Sequence, residues 1–218
     1  MLQIHRQRPI HEVSEGCIDC ATIFIGGFGD WLMGVCDCQC REFPEWGDCL
    51  TGVRAYYHWD GGSWGMLYDR CLMIADDVNT FCQHYPEAHI ILVGHSYGGS
   101  AAMEVARHLE VPVSSQLIVL TLDAVSRRQS SARAERVDFW GNAYLSRGGG
   151  WRDVVPRLGG RWGNCDEADI NLSYDGYAQD ADGFYYSHLR PGPMLMGTPT
   201  RGEGQSLFSL VRERLLNL

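Results

Sequence analysis

Residues 91–109 read ILVGHSYGGSAAMEVARHL, a short apolar run followed by three glycines around a serine and then an amphipathic stretch. The apolar run predicts a buried strand, and the stretch after Gly98 predicts a helix. Ser96 would lie on the turn between these two elements. Two interpretations of Ser96 follow: a catalytic nucleophile, or a polar residue in an ordinary turn.

The pattern Gly-x-Ser-x-Gly at residues 94–98 has chemical meaning only where a strand precedes it and a helix follows. A nucleophile on such a sharp turn holds a strained backbone, so the residues two positions away must lack a Cβ atom. Gly94 and Gly98 meet this requirement. Small residues at 99–102 would let the helix begin close to the sheet, with its positive end near the reacting oxygen. The stretch therefore predicts a nucleophile elbow at Ser96.

The rest of the chain alternates apolar runs with helical periodicity. Strands are predicted in CATIFIGGFGD (20–30, ending in a glycine loop), GVRAYYHW (52–59), HIILV (89–93), QLIVLTLD (116–123) and VDFWGNAYL (137–145). Helices are predicted over residues 66–85, over residues 98–110 and in the C-terminal SLFSLVRERLLNL. This order predicts parallel pairing through right-handed crossovers, and hence a three-layer α/β/α sandwich with a mostly parallel sheet.

The length of 218 residues predicts one domain spanning residues 1–218. Residues 124–204 contain little periodicity beyond the strand candidate, and they are rich in glycine, aspartate and aromatic residues. We expect this region to be loop-rich and to form a cap or lid in which substrate specificity is built.

A serine nucleophile needs a histidine that takes its proton and a carboxylate behind that histidine. With this motif the acid and then the histidine follow the serine in the chain. Of the eight histidines only His108 and His188 follow Ser96. Because His108 lies about three turns along the predicted helix, ~15 Å or more from the elbow, His188 is the candidate base.

The candidate acid is Asp123, which ends the strand after the elbow helix at the carboxyl edge of the sheet. A carboxylate there can bind the second ring nitrogen of His188 and fix its tautomer. A helix cap or turn aspartate is the alternative interpretation. Five later aspartates also precede His188 and remain candidates: Asp166, Asp169, Asp175, Asp180 and Asp182.

Acyl transfer also requires two donors for the developing oxyanion, each contributing about 3 kcal/mol to lowering the barrier. The backbone N–H of Tyr97, directly after the nucleophile, is one candidate. The loop IGGFGD (25–30) supplies the other, with Phe28 as first choice and Gly27 or Gly29 as alternatives.

Composition excludes several other classes of function. The net charge is −9 and all 18 basic residues are arginine, so nucleic acid is not an expected partner, and a P-loop, a Schiff base or a Ser–Lys dyad cannot form. Gly27-Phe28-Gly29 is followed by Leu32 where a dinucleotide-binding loop has its third glycine. We expect no cofactor. No apolar run is long enough for a signal peptide or a transmembrane segment, which predicts a cytoplasmic location and leaves signal-independent export open.

Nine cysteines leave at least one unpaired, and six of them lie early in the chain: Cys17, Cys20, Cys36, Cys38, Cys40 and Cys49. Their spacing is compatible with a metal site or with disulfides, but the two groups flank a predicted strand and a glycine loop, which favours free or partly buried thiols. We expect no bound metal.

Taken together, the stretches GHSYGG, IGGF, TLDAVS and YYSHL resemble the α/β-hydrolase family, and within it the lipase and esterase-like members. The resemblance covers residues 20–125 and His188. It implies a cofactor-free hydrolase on a sheet with trimmed N-terminal strands, because little chain precedes Ala21. It does not identify a substrate.

The predicted activity is that of a serine hydrolase acting on a carboxylic ester, including a lipid or a thioester. An amidase, a peptidase or an acyltransferase would use the same groups, and a non-catalytic binding module is the alternative from another class. Tryptophans either line an apolar acyl site or belong to the core: Trp31, Trp46, Trp59 and Trp64.

Overall fold

Six parallel strands form the centre of the computed structural model, which describes residues 6–10, 17–48, 50–58, 66–127, 132–148, 153–200 and 204–218. The strands are β1 (Cys20–Gly26), β2 (Gly52–His58), β3 (His89–His95), β4 (Leu117–Leu122), β5 (Phe139–Arg147) and β6 (Ile170–Asp175). Their order across the sheet is β2-β1-β3-β4-β5-β6, and every neighbouring pair is parallel. The predicted parallel sheet is therefore confirmed.

Helices cover both faces of this sheet. They are α1 (Asp30–Met33), α2 (Val35–Glu42), α3 (Met66–His84), α4 (Tyr97–Ala106), α5 (Val154–Gly159), α6 (Pro191–Met196) and α7 (Leu207–Leu216). Side chains of α3 and α4 pack in one core cluster, and side chains of α2, α6 and α7 pack in a second cluster on the opposite face. This arrangement confirms the three-layer α/β/α sandwich.

Strand β3 shows why the central strands are apolar without alternation. Ile90 and Leu92 belong to the cluster under α3 and α4, whereas Ile91 and Val93 belong to the cluster under α2 and α7. Successive side chains of a strand point to opposite faces, and both faces are covered here, so every position must be apolar. The uninterrupted apolar run in the sequence reflects this double burial.

The described residues before β1 contribute little to the sheet. Within the described residues before β1, the contact with the sheet is an isolated antiparallel bridge between Arg8 and Tyr56 of β2. Ile10 is also buried and its backbone N–H binds the hydroxyl of Tyr57. This part of the chain extends the core without adding a full strand in the described residues.

The structure differs from the sequence prediction mainly after β5. The region expected to be loop or cap contains α5, α6 and the edge strand β6, in which Leu172 and Tyr174 are buried and the neighbouring side chains are partly exposed. An edge strand with one covered face has no continuous apolar run, so its signal in the sequence is weak. Helix α4 ends at Ala106, four residues before the predicted end. A role of residues 124–204 as a cap stays a prediction.

The early cysteines lie partly on α2, which the sequence did not predict. Cys36 and Cys40 are one helical turn apart and face the core, while Cys38 is exposed. The eight described cysteines are free thiols, and burial raises the pKa of Cys20 to about 12. Where the chain is described, no group of His, Cys, Asp and Glu side chains has the arrangement of a metal site, and no helix is long and apolar enough to cross a membrane.

Trp46 is a core residue and does not line a substrate site. Its ring stacks on Phe208 with centroids 5.0 Å apart and meets Phe43 edge-on at 4.8 Å. Its indole N–H donates to Thr22 Oγ1 at 2.8 Å, which satisfies the one polar group that burial would otherwise leave unpaired. Trp31 of α1 is exposed, and Trp59 and Trp64 lie outside the described residues.

We predict that Trp46→Ala lowers the free energy of unfolding by about 3–5 kcal/mol, because it removes a fully buried indole and leaves Thr22 without its donor. Urea unfolding followed by circular dichroism measures the change. Trp31→Ala is the matched control and is expected to cost less than about 1 kcal/mol. Equal losses in the two variants would contradict the packing described for Trp46.

Candidate active site

The order in which the chain adds strands to the sheet reverses at β1. From β1 the chain moves to β2 on one side and then returns to place β3 on the other side of β1. The loops that leave the carboxyl ends of β1 and β3 therefore diverge, and they create a crevice in which such sheets bind ligands. The glycine loop after β1 and the turn at Ser96 both lie at this crevice.

Ser96 lies on a strained turn between β3 and α4. Its backbone has φ 59° and ψ −130°, and among the described non-glycine residues only Asp123 shares a positive φ. The turn is held by hydrogen bonds from Ser96 N to Leu122 O at 3.1 Å and from Gly99 N to Ser96 O at 2.9 Å. Strain of this kind persists only where surrounding contacts enforce it, and it concentrates at functional sites.

Glycines surround the turn because backbones approach each other there. A Cβ atom on Gly94 would collide with the carbonyl of Gly98, and one on Gly98 would collide with the carbonyl of Ile25. A Cβ on Gly99 would lie 2.6 Å from Cβ of Ala124. Helix α4 thus begins in backbone contact with the sheet, as the elbow glycines predict.

Ser96, His188 and Asp123 form a continuous hydrogen-bonded chain. Ser96 Oγ lies 2.9 Å from His188 Nε2, and His188 Nδ1 lies 2.6 Å from Asp123 Oδ2. An ionised carboxylate only accepts, so Nδ1 carries the proton and Nε2 accepts the serine hydroxyl. All three residues are buried. The structure brings together the three side chains that the sequence predicts as nucleophile, base and acid.

Asp123 is fixed by the backbone of its neighbours. Its N–H donates to Ala143 O at 2.7 Å, and its Oδ1 accepts from Leu145 N at 3.1 Å. Val125 N donates to Ser96 O at 3.0 Å, which joins the turn of the acid to that of the serine. Burial works to raise the pKa of Asp123, but the His188 hydrogen bond and the nearby positive charge of Arg161 outweigh it and lower the pKa.

The other candidate acids have different surroundings. Asp169 pairs with Arg133 at 3.0 Å and also accepts from a backbone N–H. Asp175 and Asp180 pair with arginines of their own, Arg147 at 3.5 Å and Arg190 at 2.8 Å. Asp166 and Asp182 are exposed. None of these carboxylates is recorded in contact with His188 among the described residues.

His95 supports His188 from the elbow itself, a contact that the motif alone does not reveal. Its Nε2 lies 2.7 Å from the carbonyl oxygen of His188. A carbonyl only accepts, so Nε2 carries a proton. Burial and the neighbouring His188 lower the pKa of His95 to about 3, so this histidine is neutral at ordinary pH. His95, which lies between Gly94 and Ser96 in the Gly-x-Ser-x-Gly pattern, therefore anchors the loop that carries the candidate base.

The predicted oxyanion donors lie on either side of Ser96. Gly27 packs against the serine so closely that a Cβ atom there would be 2.6 Å from Ser96 Cβ, and Phe28 follows it. Tyr97 is the first residue of α4, whose N-terminal end carries positive partial charge. The roles of the Phe28 and Tyr97 amides as oxyanion donors stay predictions, and the close approach of Gly27 brings the glycine loop next to Ser96.

Asp30 organises the glycine loop and was not predicted. This buried carboxylate accepts from the hydroxyl of Tyr56 at 2.6 Å and from Cys36 N at 3.1 Å. Its own N–H donates to Gly27 O at 3.2 Å, so the loop is closed on itself. The sequence holds no signal for this role, because Tyr56 and Asp30 meet only after β1 and β2 pair.

A cleft of about 590 Å³ borders the loop of His188. Its wall is largely aromatic, from Tyr177, Phe184, Tyr185 and Tyr186, and it includes Ser187, which directly precedes His188. Neither Ser96 nor His188 is part of its lining. The cleft therefore borders the loop that carries the candidate base without reaching the side chains of the two candidate catalytic residues.

The chain is similar to one protein family and to several solved structures. The sequence model of the alpha/beta hydrolase family matches residues 43–212. A solved structure of a putative cell surface hydrolase from Lactobacillus plantarum WCFS1 is 8% identical, with 93% of each chain covered and a TM-score of 0.45. A structure of the NocB thioesterase domain in a covalent fluorophosphonate complex is 14% identical, with a TM-score of 0.40 and coverage of 80% of this chain and 92% of that one. No curated protein sequence matches.

We predict that wild-type protein loses about 2 kcal/mol more stability than His95→Gln between pH 7 and pH 5. Below pH 6.5 an unfolded histidine takes up a proton that native His95, with its pKa of about 3, does not bind, so stability falls with pH. Glutamine keeps a donor and does not titrate. Urea unfolding at the two pH values measures this difference.

His84→Gln, at an exposed position, is the matched control and should show the same pH dependence as wild type. If His95→Gln also follows wild type, His95 does not stay neutral in the folded protein.

Proposed function

Since the chain belongs to the alpha/beta hydrolase family, we propose that it is a serine hydrolase that cleaves a carboxylic ester through Ser96, His188 and Asp123. The observation that carries this proposal is the hydrogen-bonded chain of 2.9 Å and 2.6 Å that ends on a strained serine. The strained backbone of Ser96 costs about 1–3 kcal/mol, and such strain is concentrated at functional sites.

The reaction begins when Ser96 Oγ attacks the acyl carbonyl and His188 Nε2 takes its proton. Asp123 stabilises the imidazolium that results, and the amides of Phe28 and Tyr97 bind the oxyanion. His188 then gives the proton to the leaving alcohol, and the ester bond breaks to leave the acyl group on Ser96. Water, deprotonated by His188, attacks this acyl-enzyme. The bond between the acyl carbon and Ser96 Oγ breaks, His188 returns the proton to Oγ, and the carboxylic acid is released.

The surroundings of the site favour a substrate with apolar groups. Phe28, Trp31 and Leu32 after β1 are exposed large apolar side chains, and Tyr177 and Phe184 are exposed after β6. The aromatic cleft borders the loop of His188, which protonates the leaving group, and this position supports our assignment of the cleft to the alcohol part of the ester. The cytoplasmic location stays a prediction.

We predict that wild-type protein reacts covalently with a fluorophosphonate and that Ser96→Ala does not. The probe reports an activated serine whatever the natural substrate, because it phosphonylates the nucleophile directly. Intact-mass spectrometry should show one adduct per chain, on the peptide that contains Ser96. A folded wild-type chain that stays unlabelled would overturn the proposal.

An ester and an anilide with the same acyl group then distinguish an esterase from an amidase. We expect turnover of the ester to exceed that of the anilide. The opposite order would move the assignment to an amidase or peptidase with the same triad.

We further predict that Asp123→Asn lowers kcat for a chromogenic ester by about 10³–10⁴-fold, because an amide can hold His188 in the wrong tautomer. Asp182→Asn is the matched control, since it makes the same chemical change at an exposed aspartate. Its kcat should equal that of wild type. Unchanged turnover in Asp123→Asn would assign the acid to another residue.

A further inference from the structure

An arginine lies behind the candidate catalytic carboxylate. Nε of Arg161 is 2.9 Å from Asp123 Oδ1, and its Nη2 donates to Asp153 Oδ1 at 2.6 Å. The side chains of Asp123, Asp153 and Arg161 are 0%, 5% and 15% exposed. One guanidinium therefore stands between two buried carboxylates, at the edge of the Ser96 site.

The backbone fixes Arg161 at this place. It forms an isolated antiparallel bridge with Val125, two residues after Asp123. Trp162 N donates to Ala124 O at 2.8 Å, and Arg161 N donates to Pro156 O at 3.0 Å. The turn that carries Asp123 and the segment that carries Arg161 are thus hydrogen-bonded to each other.

We propose that Arg161 is a positioning residue for the Asp123–His188 pair, and this inference rests on the proposed function. The guanidinium charge lies against Oδ1 of Asp123, which accepts a hydrogen bond from Leu145 N, and Oδ2 is left for the proton on Nδ1 of His188. Its charge also offsets part of the carboxylate's charge. The buried carboxylate 2.6 Å from Nδ1 stabilises the imidazolium, and the charge of the guanidinium reduces that effect.

The charges around Arg161 agree with this role. Burial works against its positive charge, but the carboxylates of Asp123 and Asp153 outweigh that effect and raise the pKa of Arg161. The guanidinium is therefore charged at neutral pH. Apart from His188, Arg161 is the cationic residue in ion-pair contact with Asp123 among the described residues.

Other titratable groups near His188 add no free charge. The ring of His95 is 4.8 Å from that of His188, and burial keeps it neutral. Behind His95, burial raises the pKa of the Cys36 thiol, which also stays neutral. Arg190, in the same loop as His188, pairs with Asp180 at 2.8 Å. The charges that act on the His188 imidazole are thus those of Asp123, Arg161 and Asp153.

The test is an NMR titration of the His188 imidazole in ¹⁵N-histidine-labelled full-length protein, with the signal assigned by its loss in His188→Gln. Arg161→Gln keeps hydrogen-bond donors and removes the charge, so the midpoint should rise by about one pH unit. Arg161→Lys keeps the charge, so the His188 midpoint in this variant should lie close to that of wild type. Asp153→Asn leaves the guanidinium less compensated and should lower the midpoint.

The opposite signs expected for Arg161→Gln and Asp153→Asn exclude a merely structural effect, because loosening of the site would not move the midpoint in both directions. An unchanged midpoint in folded Arg161→Gln would overturn the inference. If that variant does not fold, an unchanged or raised midpoint in Asp153→Asn overturns it instead.

The fluorophosphonate reaction separates this inference from the proposed function. The acidic limb of the labelling rate should move to higher pH in Arg161→Gln by the same amount as the NMR midpoint. If the His188 midpoint shifts in Arg161→Gln as expected but the wild-type protein is never labelled, the charge coupling is supported and the enzymatic function is overturned. Labelling of wild type with no shift in Arg161→Gln would do the reverse.

Discussion

The approach of α4 to the ends of β1 and β3 is the constraint on which the rest of the site depends. Gly94, Gly98 and Gly99 let three backbone segments meet at distances that no Cβ atom would permit. This contact leaves the chain no relaxed path from strand to helix, so Ser96 takes a positive φ. The serine therefore lies on a strained turn at the carboxyl end of β3, directly before the N-terminal end of α4 with its positive partial charge.

Two further segments meet Ser96, and direct hydrogen bonds hold them. The turn of Asp123 is joined to the elbow through Val125 N and Ser96 O, and the loop of His188 is joined to it through His95. The candidate nucleophile, base and acid come from three distant parts of the chain, yet each is anchored within one or two residues of its reacting group. Short links of this kind keep the geometry within the narrow limits that acyl transfer needs.

The sequence allowed prediction of those parts of the molecule that depend on local pattern. The double burial of β3 made its apolar run visible, and the elbow glycines placed Ser96 before any tertiary contact was known. Strand β6 was missed because only one of its faces is covered, and α2 was missed because its buried positions are two cysteines and an aspartate. Asp30, His95 and Arg161 could not be assigned, since each acts through a partner that only the folded sheet brings near. Trp46 was ambiguous from sequence because a tryptophan fits both a core and an apolar site.

The link from His95 to the carbonyl of His188 has a consequence for how this scaffold can diversify. The base is held through its main chain from the nucleophile's own turn, and this contact does not involve the side chains that line the aromatic cleft. Exposed residues of the aromatic loop, such as Tyr177 and Phe184, can then change while this hydrogen bond is kept. Selection acting on substrate preference and selection acting on chemistry would fall on separate stretches of this chain, although only a few residues lie between them.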